Sequence, residues 1–228
     1  MKHGLGRIPS PPDSRDYKMS TILTAQPIPA SKYWPGSPIL NQKLTPHCVG
    51  FGWAGWGISV PVNTKYTDDD GHAIYRSAKV FDGEPLAENG STVRSGAKAM
   101  IKKGRIKGYY FATTFYEAKE FVGNHGPVVI GVDWYEGMNA PDKYSIIRPT
   151  GVKRGGHCLL WVGLEDKWGI LRNSWGDDWG EDGECRIQLN DLALLLAANG
   201  EACAAIEKPY VTAKTPSLWD RIVNKLRG

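Results

Sequence analysis

The chain has 228 residues, is 41% hydrophobic with nine Trp, and carries a formal charge of +4. That length suits one large domain or two lobes sharing an interface, and the apolar content is enough for a core, which excludes a disordered chain. The charge is mild and no basic tract alternates with aromatics, which argues against nucleic-acid binding; no segment approaches the roughly 18 apolar residues of a membrane span.

The N-terminus, MKHGLGRIPSPPDSRDY, has no apolar run long enough for a signal peptide, so synthesis in the cytosol and a reducing compartment are expected. Residues 1–30 are rich in Pro, Ser and Gly and read as an extended arm. A helix is expected from Thr45, ending before Pro61, and the run TKYTDDD at 64–70 reads as a polar turn. Further helices are expected over Ile74–Phe81, Thr92–Lys103 with Gly104 as its stop, and Thr114–Val122. The pattern then changes to strands: Pro127–Trp134, Cys158–Val162, Trp168–Arg172 and Gly183–Leu189. The layout is α+β, with a helical lobe over 31–112 and a strand-rich lobe over 113–210. In the tail, 211–228, Thr215 and Pro216 start a helix whose stripe of Leu218, Trp219, Ile222, Val223 and Leu226 is either packed on the body or offered to a partner or a membrane surface.

Four cysteines are present, Cys48, Cys158, Cys185 and Cys203, with no CxxC pair; free thiols are expected and a structural zinc site is not. Cys48 sits in NQKLTPHCVGFGWAGW. If Thr45 caps and Pro46 takes the first helical position, Cys48 is third, facing unpaired N–H groups and the positive end of the helix dipole. That setting favours the thiolate, the nucleophilic form. Gly50 and Gly57 are costly in a helix and bare one face, so something bulky is expected against them. A thiol nucleophile also needs a base, a group to orient that base, and donors for an oxyanion. GGHCLLWVG places His157 at the entry of an apolar strand, and ILRNSWGDDWGEDGECRI places Asn173 at the end of another.

These segments together resemble a papain-like cysteine peptidase. NSWGDDWGEDGECRI is similar to that family's Asn-Ser-Trp-Gly motif and the turn after it, GGHCLLWVG to its His segment, and Gln42 lies six residues before Cys48, the family's spacing. Asn89-Gly90-Ser91-Thr92-Val93 resembles the Gly-rich wall of its substrate cleft, and Pro127-Val128-Val129 the first strand of its second lobe. The resemblance implies a two-lobed fold in which a nucleophile helix faces an antiparallel half-barrel. It implies Cys48 as nucleophile, His157 as base and acid, Asn173 as orienter under Trp175, and Gln42 with the Cys48 N–H as oxyanion donors. It implies a substrate cleft lined by Gly90, Ser91, Val93, Gly131, Gly156, Cys158 and Trp175, a peptide or protein substrate, and no cofactor or metal.

The family's usual half-cystine before the nucleophile is absent, and Val49 replaces the usual Trp. His47 is a rival base by sequence but should point away from Cys48 and rim the cleft. His3, His72 and His125 read as surface residues, and the acidic run 177–184 as a solvated turn rather than a calcium loop. The short arm resembles that of small bacterial and phage members, which leaves activity unrestrained at synthesis or limited by specificity or delivery. By resemblance, Val93, Gly131, Cys158 and the stretch near Ile206–Glu207 line the main specificity pocket; the apolar residues favour an aliphatic or aromatic side chain, and Glu207 would admit a basic one. Two other readings of the same residues remain: an idle module that keeps the fold, such as a virion component, and a related isopeptidase or cell-wall peptidase.

Overall fold

The computed structural model describes residues 3–207; the tail helix expected over 211–228 lies outside them. Two short strands come first, β1 (Arg7–Ile8) and β2 (Tyr17–Lys18), followed by β3 (Ser31–Tyr33). Helix α1 (Cys48–Ile58) is buried on every side, with only Gly55 outside the buried set, so it is held by packing rather than by an amphipathic stripe. It begins later than expected. His47, not Thr45, is the N-cap, no side chain caps the helix, and the Thr45 hydroxyl donates to the Gln42 carbonyl at 2.7 Å instead. The glycines meet close neighbours, as expected: a Cβ on Gly50 would overlap the Gly71 carbonyl, and one on Gly57 the Tyr66 ring.

Helix α2 (Asp68–Phe81) overturns the turn expected at 64–70. Thr67 and Asp70 form a reciprocal capping box, and Asp68, Asp69 and Asp70 lie at the positive end of the dipole. After β4 (Ser91–Thr92), Thr92 caps α3 (Val93–Lys102) through Ser95 N at 3.0 Å, and Gly104, with φ of 69°, follows its end. Next come β5 (Ile106–Phe111), α4 (Phe115–Asn124) capped by Thr114, β6 (Val128–Tyr135), β7 (Lys153–Glu165), β8 (Trp168–Arg172) and β9 (Glu184–Gln188). The described chain ends with α5 (Leu189–Ala198) and β10 (Glu201–Glu207).

The large sheet runs β2-β5-β10-β6-β7-β8-β9, with β3 on the far part of β7. Alternation along β6 and β7 divides the core. Ile130, Val132, Leu159, Trp161 and Leu164 join the barrel cluster, whereas Val129, Cys158, Leu160 and Val162 pack with α1. Both faces of these strands are covered, which is why CLLWV reads as an unbroken apolar run. One close contact on the α1 side is the Cys158 sulfur, which would stand 2.8 Å from a Cβ at Gly52. All four cysteines are buried and unpaired among the described residues.

Candidate active site

His157 and Asn173, the expected base and its orienter, come from neighbouring strands. His157 lies near the start of β7 and Asn173 directly follows β8, and His157 Nε2 and Asn173 Oδ1 are 2.8 Å apart. Asn173 Oδ1 also accepts the Ser174 N–H at 2.8 Å, so that atom is an acceptor and His157 Nε2 carries the proton. Nδ1 is then the lone-pair nitrogen, buried and with no hydrogen-bond partner among the described residues. Trp175 stacks on the imidazole at 4.7 Å and Trp134 meets it edge-on at 4.8 Å, which keeps water from the His157–Asn173 bond.

Cys48 is the first residue of α1 and is fully buried, close to the backbone of Cys158, Gly6 and Val49. The thiol therefore lies beside the strand residue that follows His157. Gln42 is fully buried; its Nε2 donates to the Thr45 carbonyl at 2.8 Å and to the Gly4 carbonyl at 3.1 Å, and its Oε1 accepts the Ser174 hydroxyl at 2.7 Å. The main chain adds a second tie, Gln42 N to Ser174 O at 2.8 Å.

The N-terminal arm packs against these residues. His3 stacks on Trp175 at 4.1 Å, so it is not a free surface residue. Gly6 N donates to Gly156 O at 3.1 Å, Ser91 N donates to Gly6 O at 2.8 Å, and β1 pairs in parallel with β4. The approach is backbone against backbone. A Cβ on Gly4 would overlap Thr45 O, one on Gly6 would overlap Pro46 O, and those on Gly90 and Gly156 would overlap the Gly6 and Arg7 carbonyls. Further along, Arg94 pairs with Asp16 and donates to Pro11 O at 2.6 Å, and β2 adds to β5.

Burial decides the ionisation of the pair. Cys48 is fully buried, and desolvation pushes its thiol up to about 11; the same cause lowers the fully buried His157 to about 4. The thiolate expected from the helix N-terminus is thus overridden in the arm-covered form, where thiol and neutral imidazole face the cleft. The helix-end effect is worth about 0.3–1 kcal/mol at exposed sites, less than the cost of placing an anion in a dry cleft.

The residues expected to line the cleft divide. Gly90 and Ser91 form the wall against Gly6, with the Gly90 carbonyl held by the buried Lys79 ammonium at 3.0 Å. Gly156 accepts from the arm, and Trp175 covers His157. Val93 and Gly131 border the Arg7 side chain, whereas Cys158 turns its sulfur toward α1. Glu207 pairs with Ile106 at the far end of β10, so it does not close this pocket; the carboxylate there is Glu201, the strand partner of Gly131. No local motif marks Arg7 or Glu201; the spaced Gly-Leu-Gly-Arg of the arm is the sequence signal there.

His47 does not rim the cleft. It is buried, stacked on Tyr75, with Nδ1 2.7 Å from His72 Nδ1 and Nε2 2.5 Å from a Glu88 oxygen. His72 and His125 are half-buried rather than free on the surface, His125 beside Phe121. In the acidic turn, Glu181 pairs with Arg186 and Glu184 with Arg172. Among the described residues no group of three or more His, Cys, Asp or Glu side chains could hold a metal ion, and no helix is long and apolar enough to cross a membrane.

A cysteine at the head of a buried helix, facing a His–Asn pair carried by a half-barrel, defines a two-lobed papain-like fold. The chain belongs to the papain family of cysteine proteases: the family described as "Papain family cysteine protease" matches residues 51–206, a span that contains His157 and Asn173 and starts just after Cys48. It is similar to the viral cathepsin of Choristoneura fumiferana nuclear polyhedrosis virus, 33% identical over 109 residues, which is 46% of this chain and 32% of that protein. It is also similar to the cathepsin B-like cysteine proteinase 6 of Caenorhabditis elegans, 32% identical over 93 residues, 34% of this chain and 24% of that protein. The chain thus spans about a third or less of the length of these relatives. Among solved structures, xylellain, a cysteine protease from Xylella fastidiosa, superposes with a TM-score of 0.70 at 18% identity, covering 90% of this chain and 96% of that one. Procathepsin L 3 of Tenebrio molitor gives 0.61 at 16%, covering 90% of this chain and 76% of that one. At these identities the superpositions show the fold.

Proposed function

We propose that the protein is a cysteine-type endopeptidase acting on peptide or protein substrates, and that the arm-filled cleft is its closed form. The observation that carries this is the His157–Asn173 bond, which leaves the Nδ1 lone pair free in the cleft that holds Cys48. In the open form the thiol proton passes to His157 Nδ1 and the sulfur attacks the substrate carbonyl carbon. The oxyanion is met by the Cys48 N–H and by the Gln42 amide, which in the closed form donates to the Gly4 carbonyl. As the C–N bond breaks, His157 returns the proton to the leaving amine. Water then attacks the thioester, giving its proton to His157, and release of the acid restores the thiol. Asn173 holds the ring without adding a second negative charge, and Trp175 shields that contact. Helices α1, α2 and α3 of the segment 31–112 and the strand-rich segment that begins at 113 act as the two walls of the cleft. Four unpaired thiols support a reducing compartment, with synthesis in the cytoplasm.

The test is hydrolysis of an unfolded protein such as casein by the full chain, by Cys48→Ala and by Arg7→Glu, which sets a carboxylate against Glu201 and drives the arm out. Hydrolysis that rises in Arg7→Glu and vanishes when Cys48→Ala is added supports the reading. Absence of any Cys48-dependent cleavage in Arg7→Glu overturns it. Product analysis with an added amine separates hydrolysis from acyl transfer.

A further inference from the structure

Three buried indoles gather at the His157–Asn173 pair, Trp134, Trp175 and Trp179, and they are not held alike. Trp134, near the end of β6, donates from Nε1 to Asn139 Oδ1 at 2.9 Å. Trp179 donates from Nε1 to the Asn139 carbonyl at 2.9 Å. One residue thus anchors two indoles, one through its side chain and one through its main chain. Asn139 directly follows the short helical turn Glu136–Met138, and its N–H donates to Glu136 O at 3.1 Å, which holds the backbone between the two acceptors. The third indole has no such tie. Trp175 Nε1 is buried and has no hydrogen-bond partner among the described residues. Packing sets its ring: His3 stacks on it at 4.1 Å, and Trp134 and Trp179 meet it edge-on at 5.2 and 5.4 Å. The ring that stacks on His157 therefore leans on two indoles that share one anchor.

We propose that Asn139 is a positioning residue for His157: by anchoring Trp134 and Trp179 it sets Trp175 against the imidazole and keeps water from the bond to Asn173. The catalytic half of this rests on the peptidase reading. A single hydrogen bond, Nε2 to Asn173 Oδ1, does not stop an imidazole from tilting about that line. Tilt is limited by what touches the ring, and that is Trp134 edge-on at 4.8 Å and Trp175 stacked at 4.7 Å. An indole that loses its acceptor is left with a buried donor unpaired, or turns until it finds one. Aromatic pairs attract only in offset-stacked or edge-to-face geometry, so a turn of Trp134 passes to Trp175 and from there to His157. A reacting group displaced by about 1 Å can cost on the order of 100-fold in rate, so a residue that never touches substrate can govern the base.

Two measurements on the full chain test it. The first is hydrogen exchange of the His157 Nε2–H, read by NMR with isotope-labelled histidine and assigned through His157→Gln. Exchange should be at least about tenfold faster in Asn139→Leu, which removes one acceptor. Trp134→Phe keeps a ring but lacks the donor and should match it. The double variant should then stay within about twofold of either single one, because both break the same contact. Asn139→Asp keeps an acceptor oxygen and should exchange like wild type. So should Gly57→Ala, strained against the Tyr66 ring in the core beside α1, which separates placement of His157 from a general loss of stability. The second measurement is peptide hydrolysis in the Arg7→Glu background. There Asn139→Leu should lower kcat by about tenfold or more with KM little changed, and Asn139→Asp should restore it. Wild-type exchange in Asn139→Leu, equal acceleration in Gly57→Ala, failure of Asn139→Asp to restore, or effects that multiply in the double variant would each overturn the proposal. An unchanged kcat in a chain that cleaves would overturn it as well. If exchange follows the predicted order and no Cys48-dependent cleavage occurs, the hold of Asn139 on the imidazole stands and the peptidase reading falls.

Discussion

The Ser174 hydroxyl donates to Gln42 Oε1 at 2.7 Å, so the residue after the His157 orienter fixes the amide that faces the cleft. With the carbonyl end of that amide engaged, its NH₂ end is turned toward Thr45 O and Gly4 O. Gln42→Ala should lower kcat by roughly 100-fold or more with little change in KM, the signature of a lost oxyanion donor. Ser174→Ala leaves Gln42 Oε1 buried without its partner and should cost about 1–3 kcal/mol in urea unfolding. A Gln42→Ala enzyme with unchanged kcat would remove Gln42 from the oxyanion role.

Stability should fall on both sides of neutrality. His157 is held near 4 in the fold against an ordinary value of 6.5, so between those limits the unfolded chain takes up a proton that the folded chain refuses. Its penalty is absent above about pH 6.5 and grows, to the order of 3 kcal/mol, as pH drops toward 4. Cys48 is raised to about 11 from 9, so the unfolded chain ionises first and stability present below pH 9 is lost as pH rises toward 11. Urea midpoints from pH 4 to 10, compared with Cys48→Ser and His157→Gln, measure the two arms. A profile unchanged by His157→Gln would contradict the acid limb.

Gly6→Ala should unseat the arm without unfolding the body. Its Cβ would overlap the Pro46 carbonyl, main chain that cannot rotate aside. Iodoacetamide labelling of Cys48 should rise well above wild type while the urea midpoint moves little. Gly57→Ala is the contrast, because its Cβ would overlap the Tyr66 ring inside the helical core. There a loss of about 1–3 kcal/mol is expected, with Cys48 still covered. Equal behaviour of the two variants would refute the distinction.

Lys79 holds the Gly-rich wall from behind. Its ammonium, 1% exposed, donates to Glu84 at 3.1 Å, Asn89 Oδ1 at 2.8 Å and the Gly90 carbonyl at 3.0 Å. Lys79→Met removes these donors and should cost about 2–3 kcal/mol by urea unfolding. Hydrogen exchange should also quicken at Ser91 N–H, which donates to Gly6 O. Unchanged exchange there would separate the wall from Lys79.

Much of this arrangement could be read from residue patterns, and the parts that could not share a cause. Strand β8 lies over Trp168–Arg172 as expected, His157 meets Asn173, Ser174 ties down Gln42, and Cys48 lies beside Cys158. Their local motifs name them without reference to distant neighbours. Strand β10 carries no local strand signal, because Ala202, Ala204 and Ala205 have little strand preference; it forms because β5 and β6 pair with it on both sides. Helix α1 starts at Cys48 rather than after Thr45 because the Thr45 hydroxyl bonds backward to Gln42 O. The arm's position depends on Gly4 and Gly6 meeting Thr45 and Pro46, a relation between segments some forty residues apart. No local pattern encodes it.

The Cys158 sulfur resting against bare Gly52 has a consequence for the chemistry. Cys158 follows His157 on β7, and Gly52 lies one helical turn beyond Cys48 on α1. The atoms that space helix from strand therefore also gauge the gap between sulfur and imidazole. A methyl group added at Gly52, 2.8 Å from that sulfur, would widen the gauge while leaving every reacting group in place.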